Sequence, residues 1–207
     1  MTDYAVIAGL GATGRSVARH LVARGWRIGG TDTRREPPGL DALRELQPNM
    51  TIRTGELDSD LLPGARCVVA SPGLSLEGPF FERARSLGVE IVGDIELFAR
   101  AVRGRVVGIT GTNGKSTVTT LVARMAARAG LRILAGGNLG PPALDLLQGE
   151  AADLYVLELS SYQLETTSSL DLEAATVLNV TPDHMDRYQD LQAYADAKAR
   201  IFARCAK

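Results

Sequence analysis

Two cysteines, one tryptophan and two histidines are all that this 207-residue chain has of those types. Cys67 and Cys205 lie far apart with no CxxC spacing, which excludes a disulfide framework and a structural zinc site and leaves two ordinary thiols. Charge of one sign is also missing. A formal net charge of −1, with the arginines scattered, gives no basic field for a nucleic-acid backbone. No apolar run approaches the roughly 20 residues that cross a bilayer, and Met1-Thr2-Asp3-Tyr4 lacks a basic leader. The expected setting is cytoplasmic, without nucleic-acid or membrane partners. What is there is ordinary globular composition, 45% hydrophobic and 23% charged, enough for one large core or two small ones.

The order of patterns points to two α/β domains. Tyr4 to Ala8 is an apolar run that stops at glycine, as a buried strand does on entering a tight turn. Val17, Ala18, Leu21 and Val22 then recur at helical spacing within Arg15 to Arg24, and Gly25 ends the helix. Further strands are expected at Trp26 to Thr31, Cys67 to Ala70 and Val89 to Val92, with a helix over Phe80 to Leu87. After the polar, glycine-bearing Val102-Arg103-Gly104-Arg105 the pattern restarts. Val106 to Thr110 reads as a strand, and Lys115 to Ala129 as a helix with an apolar face of Val118, Leu121, Val122, Met125, Ala126 and Ala129. Strands are expected again at Arg132 to Leu134, Tyr155 to Glu158 and Ala175 to Asn179, and helix over Leu191 to Ala206. The expected domains are 1–102 and 103–207, each α/β with a mostly parallel sheet.

Two glycine motifs carry the chemistry. Gly9-Leu10-Gly11-Ala12-Thr13-Gly14 fits G-x-G-x-x-G between a strand and a helix, with Asp32 at the end of the next strand. Such a turn brings backbone N–H groups and a helix N-terminus up to a pyrophosphate. By itself it predicts a dinucleotide such as NAD, and hence an NAD-dependent oxidoreductase; a turn serving only helix–sheet packing is the plainer alternative. The second motif, Thr110-Gly111-Thr112-Asn113-Gly114-Lys115-Ser116-Thr117, is more specific. Successive N–H groups face phosphates, Lys115 adds a point charge, and the Ser116 hydroxyl can bind Mg²⁺, so a nucleoside triphosphate is expected. It departs from the strict phosphate-loop pattern, which would place a glycine where Ile109 stands.

That second string resembles the phosphate loop of the Mur ligases, a family with relatives that add glutamate to folates. Other strings narrow the likeness to the members that join glutamate to UDP-N-acetylmuramoyl-L-alanine. They are Asp32-Thr33-Arg34 followed by Pro37-Pro38-Gly39-Leu40, Ala70-Ser71-Pro72-Gly73, and Gly93-Asp94-Ile95-Glu96-Leu97-Phe98. Leu157-Glu158-Leu159-Ser160-Ser161-Tyr162-Gln163-Leu164-Glu165 and Asn179-Val180-Thr181-Pro182-Asp183-His184-Met185-Asp186-Arg187-Tyr188 complete the set.

The resemblance revises the first motif: residues 1–102 would be a Rossmann-like domain that holds the UDP of the substrate, not a redox cofactor, and 103–207 part of a phosphate-loop α/β ATPase domain. Gly11, Ala12 and Thr13 would face the pyrophosphate, and Asp32, Thr33 and Arg34 would reach the uridine. Asn138, with Ser71 and Gly73, would contact the rest of the UDP substrate. Gly111, Thr112, Asn113, Gly114, Lys115, Ser116 and Thr117 would bind ATP, and Ser116, Glu158, His184 and Lys198 would surround magnesium. Lys115, His184 and Lys198 are the implied catalytic residues, Lys198 as a carbamate formed from its neutral amine. Without the family, Lys198 would read as a solvated helix lysine and His184 as a hydrogen-bonded loop histidine. The implied reaction is ATP-dependent and proceeds through an acyl phosphate. Family members bind glutamate through a further C-terminal domain, so the chain as given is expected to bind the UDP substrate without ligating glutamate; a non-catalytic nucleotide-binding module is the related alternative.

Overall fold

The computed structural model describes residues 2–206, which pack as two units divided between Asp94 and Ile95. The first holds strands β1 (Tyr4–Ala8), β2 (Arg27–Asp32), β3 (Thr51–Thr54), β4 (Cys67–Ala70) and β5 (Glu90–Val92). Its helices are α1 (Ala12–Val22), α2 (Leu40–Leu46) and α3 (Pro79–Ser86), and α4 (Asp94–Ala101) opens the second unit. All the strand pairings are parallel, in the order β3-β2-β1-β4-β5. This is the doubly wound order that reverses direction beside β1, where such folds hold ligands at the strands' carboxyl ends. β1 and β4 sit inside the sheet and are covered on both faces, which is why they read as continuous apolar runs instead of alternating ones.

The first helix begins at Ala12, three residues before the expected Arg15, so it starts on the glycine turn itself. Gly14 lies inside that helix, and a Cβ there would stand 2.1 Å from the carbonyl oxygen of Gly9. Only a glycine lets the helix sit this close to the strand end. At the other end of the helix His20 is buried, with Nδ1 3.2 Å from Nη1 of Arg24. Burial, and then the charge of Arg24, lower its pKa from 6.5 to about 4. The unfolded chain therefore takes up a proton near pH 6.5 that the folded unit refuses until about pH 4. The associated stability is complete above pH 6.5, falls as the pH drops to about 4, and amounts to at most about 3 kcal/mol. Denaturant titrations followed by Trp26, the only tryptophan, are expected to show this slope, and His20→Gln to flatten it.

The second unit repeats the strand–glycine–helix opening. β6 (Arg105–Thr110) leads into α5 (Lys115–Arg128), followed by β7 (Ile133–Gly137), β8 (Leu154–Glu158), α6 (Ser161–Glu165), β9 (Ala174–Val177) and α7 (Leu191–Ala199). The parallel sheet has the order β7-β8-β6-β9, so β8 lies between β7 and the glycine-loop strand β6. That order sets the carboxyl end of β8 directly against the loop.

Several sequence expectations differ in detail. Leu121 and Met125 are 53% and 55% exposed, because α5 lays Val118, Val122, Ala123 and Ala126 on the sheet and turns those two away. The final helix ends at Ala199, and Arg200–Phe202 form a tighter 3₁₀ turn. The edge strand β3 and helices α2, α4 and α6 were not expected. β3 has little apolar signal, with three of its four residues exposed, and α6 is only five residues long, started by a Ser160–Gln163 capping box.

Candidate active site

In the first unit the carboxyl ends of three strands are tied together. The backbone N–H of Gly9 donates to Thr31 O at 2.8 Å, and the N–H and Oγ of Ser71 donate to Ala8 O and Gly9 O at 2.8 and 2.9 Å. Asp32 fixes the glycine turn from β2. Its Oδ2 accepts from Leu10 N and Arg34 Nη2, both at 2.7 Å, and its Oδ1 from Arg34 N and Nε at 2.8 and 2.9 Å. Burial alone would raise this carboxyl's pKa; the Arg34 side chain and the Leu10 and Arg34 amides outweigh it and hold it at about 2. Four donors fill both oxygens, so the acidic residue of the dinucleotide motif is occupied within the protein. What faces outward is the Arg34 side chain, 51% exposed, with exposed Thr33, Ala12 and Gly73 and half-buried Gly11, Thr13 and Ser71.

In the second unit the loop from Gly111 to Gly114 turns back over the end of β6. Gly114, at φ +81°, takes a left-handed conformation that an L side chain would strain, and Lys115 begins α5. The Lys115 ammonium folds over the loop, donating to Gly111 O and Thr112 O at 2.9 Å each. Ser116 Oγ donates to Glu158 Oε2 at 2.8 Å, and Asn138 Nδ2 donates to Glu158 Oε1 at 2.8 Å. Glu158 is itself buried and paired in register with Ile109, so the sheet brings it to the loop.

The segment after β9 laces the loop from the other side. Asn179 accepts from Thr112 N through its backbone O at 3.0 Å. Its side chain accepts from Asn113 N at 2.9 Å and donates to Asn113 O at 3.0 Å. Thr181 N donates to Thr112 Oγ1 at 3.1 Å. Sequence reasoning singled out neither Asn179 nor Thr181 for a role, although both stand in a motif string it quoted; their work is to complete backbone pairing, which residue type alone does not reveal.

Lys198 is buried on α7. Its ammonium donates to Gly111 O at 3.0 Å and lies 4.2 Å from the ring centre of Tyr194. Burial brings its pKa down to about 8, against the opposing pull of Asp183. A solvated helix lysine is thus not what this position holds. His184 lies on an exposed loop beside Asp183, with ring centres of Tyr162 and Tyr194 at 5.0 and 6.1 Å.

Among the described residues no three His, Cys, Asp or Glu side chains gather as a metal cage. A magnesium ion does not need one: it keeps several waters and takes one or two protein oxygens with substrate phosphates. The Ser116 hydroxyl and Glu158 carboxylate are hard oxygen donors at the mouth of the loop, and their chemistry fits that ion.

Fold and site together define a phosphate-loop α/β domain following a Rossmann-like domain. The Mur ligase MurD-like N-terminal domain family matches residues 3–93, and the Mur ligase middle domain family matches residues 109–207. The chain belongs to the Mur ligase family. It is 57% identical over 197 residues to a UDP-N-acetylmuramoylalanine--D-glutamate ligase of Nitrosococcus oceani, covering 95% of this chain and 44% of that protein. The enzyme of the same name from Pseudomonas putida is 53% identical over 200 residues, covering 97% and 44%. The chain thus spans less than half the length of these curated relatives. Among solved structures, a UDP-N-acetylmuramate:L-alanyl-gamma-D-glutamyl-meso-diaminopimelate ligase from Neisseria meningitides shares the fold, with a TM-score of 0.63 at 20% identity, over 99% of this chain and 69% of that one. A UDP-N-acetylmuramate-alanine ligase from Thermotoga maritima does so with a TM-score of 0.57 at 22% identity, over 98% and 47%. No helix among the described residues is long and apolar enough to cross a membrane.

Proposed function

We propose that the chain is the substrate- and nucleotide-binding portion of an ATP-dependent, ADP-forming amide ligase that joins D-glutamate to UDP-N-acetylmuramoyl-L-alanine in cytoplasmic peptidoglycan precursor synthesis. The observation that carries this reading is the 2.8 Å hydrogen bond from Ser116 to Glu158 at the mouth of the phosphate loop, in a chain whose curated relatives are glutamate ligases. In this reading the substrate carboxylate attacks the γ-phosphate and ADP leaves. The glutamate amine then attacks the acyl phosphate, and phosphate leaves.

The protein's part in the first step is to place and neutralise charge. Within the loop Gly111 to Thr117, the N–H groups of Gly114 to Thr117 at the start of α5 would receive the phosphates, those of Thr112 and Asn113 being bound to Asn179, and the Lys115 ammonium, already held over the loop, stabilises the charge that spreads on the transferring phosphoryl group. Ser116 and Glu158 would hold magnesium, with His184 and Lys198 as the further positions the family suggests; the ion would supply positive charge to the phosphate oxygens. Lys198 would need its neutral amine to react with CO₂, and its burial favours that neutral form. Asn138 would meet the muramoyl-peptide end while steadying Glu158.

In the first unit Gly11, Ala12, Thr13, Ser71 and Gly73 would line the UDP substrate, with Thr33 and Arg34 at the uridine. Asp32 would act there by locking Arg34 and the glycine turn. Calorimetry with UDP-N-acetylmuramoyl-L-alanine, with NAD as the control, tests the assignment: the UDP compound binds and NAD does not, and equal binding of both overturns it. Arg34→Ala is expected to weaken UDP binding roughly 10-fold, as loss of a planar guanidinium contact does; unchanged affinity would put the uridine elsewhere. Glutamate-dependent phosphate release is expected from a full-length ligase carrying this sequence and not from the 207-residue chain alone.

A further inference from the structure

Two motif strings remain only partly used by this reading, Ser160 to Glu165 and Asp183 to Tyr188. The structure joins them through one carboxylate. Glu165, the last residue of α6, accepts from the Tyr188 hydroxyl through Oε1 at 2.6 Å and from Arg187 Nη2 through Oε2 at 3.1 Å. Both charged partners are mostly buried, with side-chain exposures of 24% for Glu165 and 20% for Arg187. An ion pair so placed is screened less than a surface one.

The contacts continue to His184. The Arg187 guanidinium lies 4.8 Å from the ring centre of Tyr162, and Tyr162 stacks on Tyr188 with centres 6.0 Å apart at 15°. Tyr162 also meets the His184 ring, with centres 5.0 Å apart. The N–H groups of Arg187 and Tyr188 donate to His184 O at 2.9 and 3.1 Å, closing a turn on that residue. His184 is also the only non-glycine residue with positive φ among those described, at +56°. A histidine in the left-handed region costs free energy that the surroundings must offset.

We propose that Glu165 is the positioning residue of the His184 turn: by holding Arg187 and Tyr188 together it keeps the turn closed and seats the His184 ring on Tyr162. The idea stands on the geometry of the second unit and not on the ligase assignment; that assignment only gives the seated ring its use. Replacing Glu165 by leucine removes both acceptors at once. The Glu165→Gln substitution keeps one acceptor oxygen for a single donor and loses the charge, so it should restore part of the order.

The chain's two histidines make the test direct, since His20 lies in the other unit and serves as an internal reference. In proton NMR spectra of the 207-residue chain, the His184 Hε1 resonance should stand away from its random-coil position because of the Tyr162 and Tyr194 ring currents. Glu165→Leu should move it to the random-coil position and speed trypsin cleavage after Arg187 by about 10-fold or more, with His20 unmoved and the thermal midpoint of the second unit little changed. Glu165→Gln should fall between the two. A His184 resonance and an Arg187 cleavage rate that are unchanged in Glu165→Leu would overturn the proposal. So would their change only in step with global unfolding of the second unit, since that would make Glu165 a stability residue alone. Either outcome leaves the result of the UDP-substrate titration untouched, so the two readings fail separately.

Discussion

Lys115→Ala is expected to lower nucleoside-triphosphate affinity by about 10- to 100-fold, the worth of one hydrogen bond from a charged donor, about 1.5–3 kcal/mol. Its effect on phosphoryl transfer in a full-length ligase should be larger still, with turnover falling by a further factor of about 100 to 1,000. The difference has a physical source. In the resting loop the ammonium is satisfied by two carbonyl oxygens at 2.9 Å, so binding a ground-state phosphate exchanges one set of oxygens for another. Negative charge that grows during transfer is met without such an exchange, so the lysine matters most there. Equilibrium titration with a non-hydrolysable ATP analogue reads the first effect, and single-turnover ADP formation the second. Normal turnover in Lys115→Ala would remove the residue from the mechanism.

The largest stability effect in the first unit is expected from Gly14→Ala. Helix propensity alone favours alanine by about 1 kcal/mol. Against this stands a Cβ placed 2.1 Å from Gly9 O, a backbone atom at a strand end that no rotamer change can move aside. Overpacking of this kind costs about 1–3 kcal/mol, occasionally more, and here it has to displace α1 from the turn. With the cost at the upper end of that range set against the helix gain, a net loss of about 2 kcal/mol should show in urea unfolding followed by Trp26, with UDP-substrate binding lost as the helix start leaves the glycine turn. Gly73→Ala is the matched control: nothing lies within 4 Å of its Cβ position, and stability should stay within about 0.5 kcal/mol of the parent. Equal stability of Gly14→Ala and Gly73→Ala would mean that the turn and helix are not held as closely as the structure places them.

Glu158 marks how far residue patterns reach. Its place at the end of a strand was legible, since Tyr155 to Leu157 form an apolar run that it terminates. Its neighbours were not, because strand order is decided by crossovers that no local pattern encodes. β8 could have been laid beside β7 alone; its insertion between β7 and β6 is what puts Ser116 within 2.8 Å. Asp32 shows the converse. Strand, glycine turn and acidic residue suggested a dinucleotide, and only the packed structure reveals that Leu10 and Arg34 already fill that carboxylate. In the second unit Leu121 and Met125 matched a helical apolar face, yet α5 packs the stripe through Val118, Val122 and Ala126 and leaves those two exposed.

The sequence by itself determined the two α/β units and the two glycine turns, because both follow from local rules: apolar runs make buried parallel strands, and glycine is required where a helix starts against a strand end. It also determined the family, through strings long enough to be specific. The tertiary structure alone decided which side chains meet. Lys198 reads as a surface residue by type, yet α7 buries it and carries its ammonium 87 positions back along the chain to Gly111 O. Glu165 and Tyr188 are 23 positions apart and joined by a 2.6 Å hydrogen bond. Contacts of that range depend on how elements pack after they form, and packing is a property of the whole fold, not of any window of sequence.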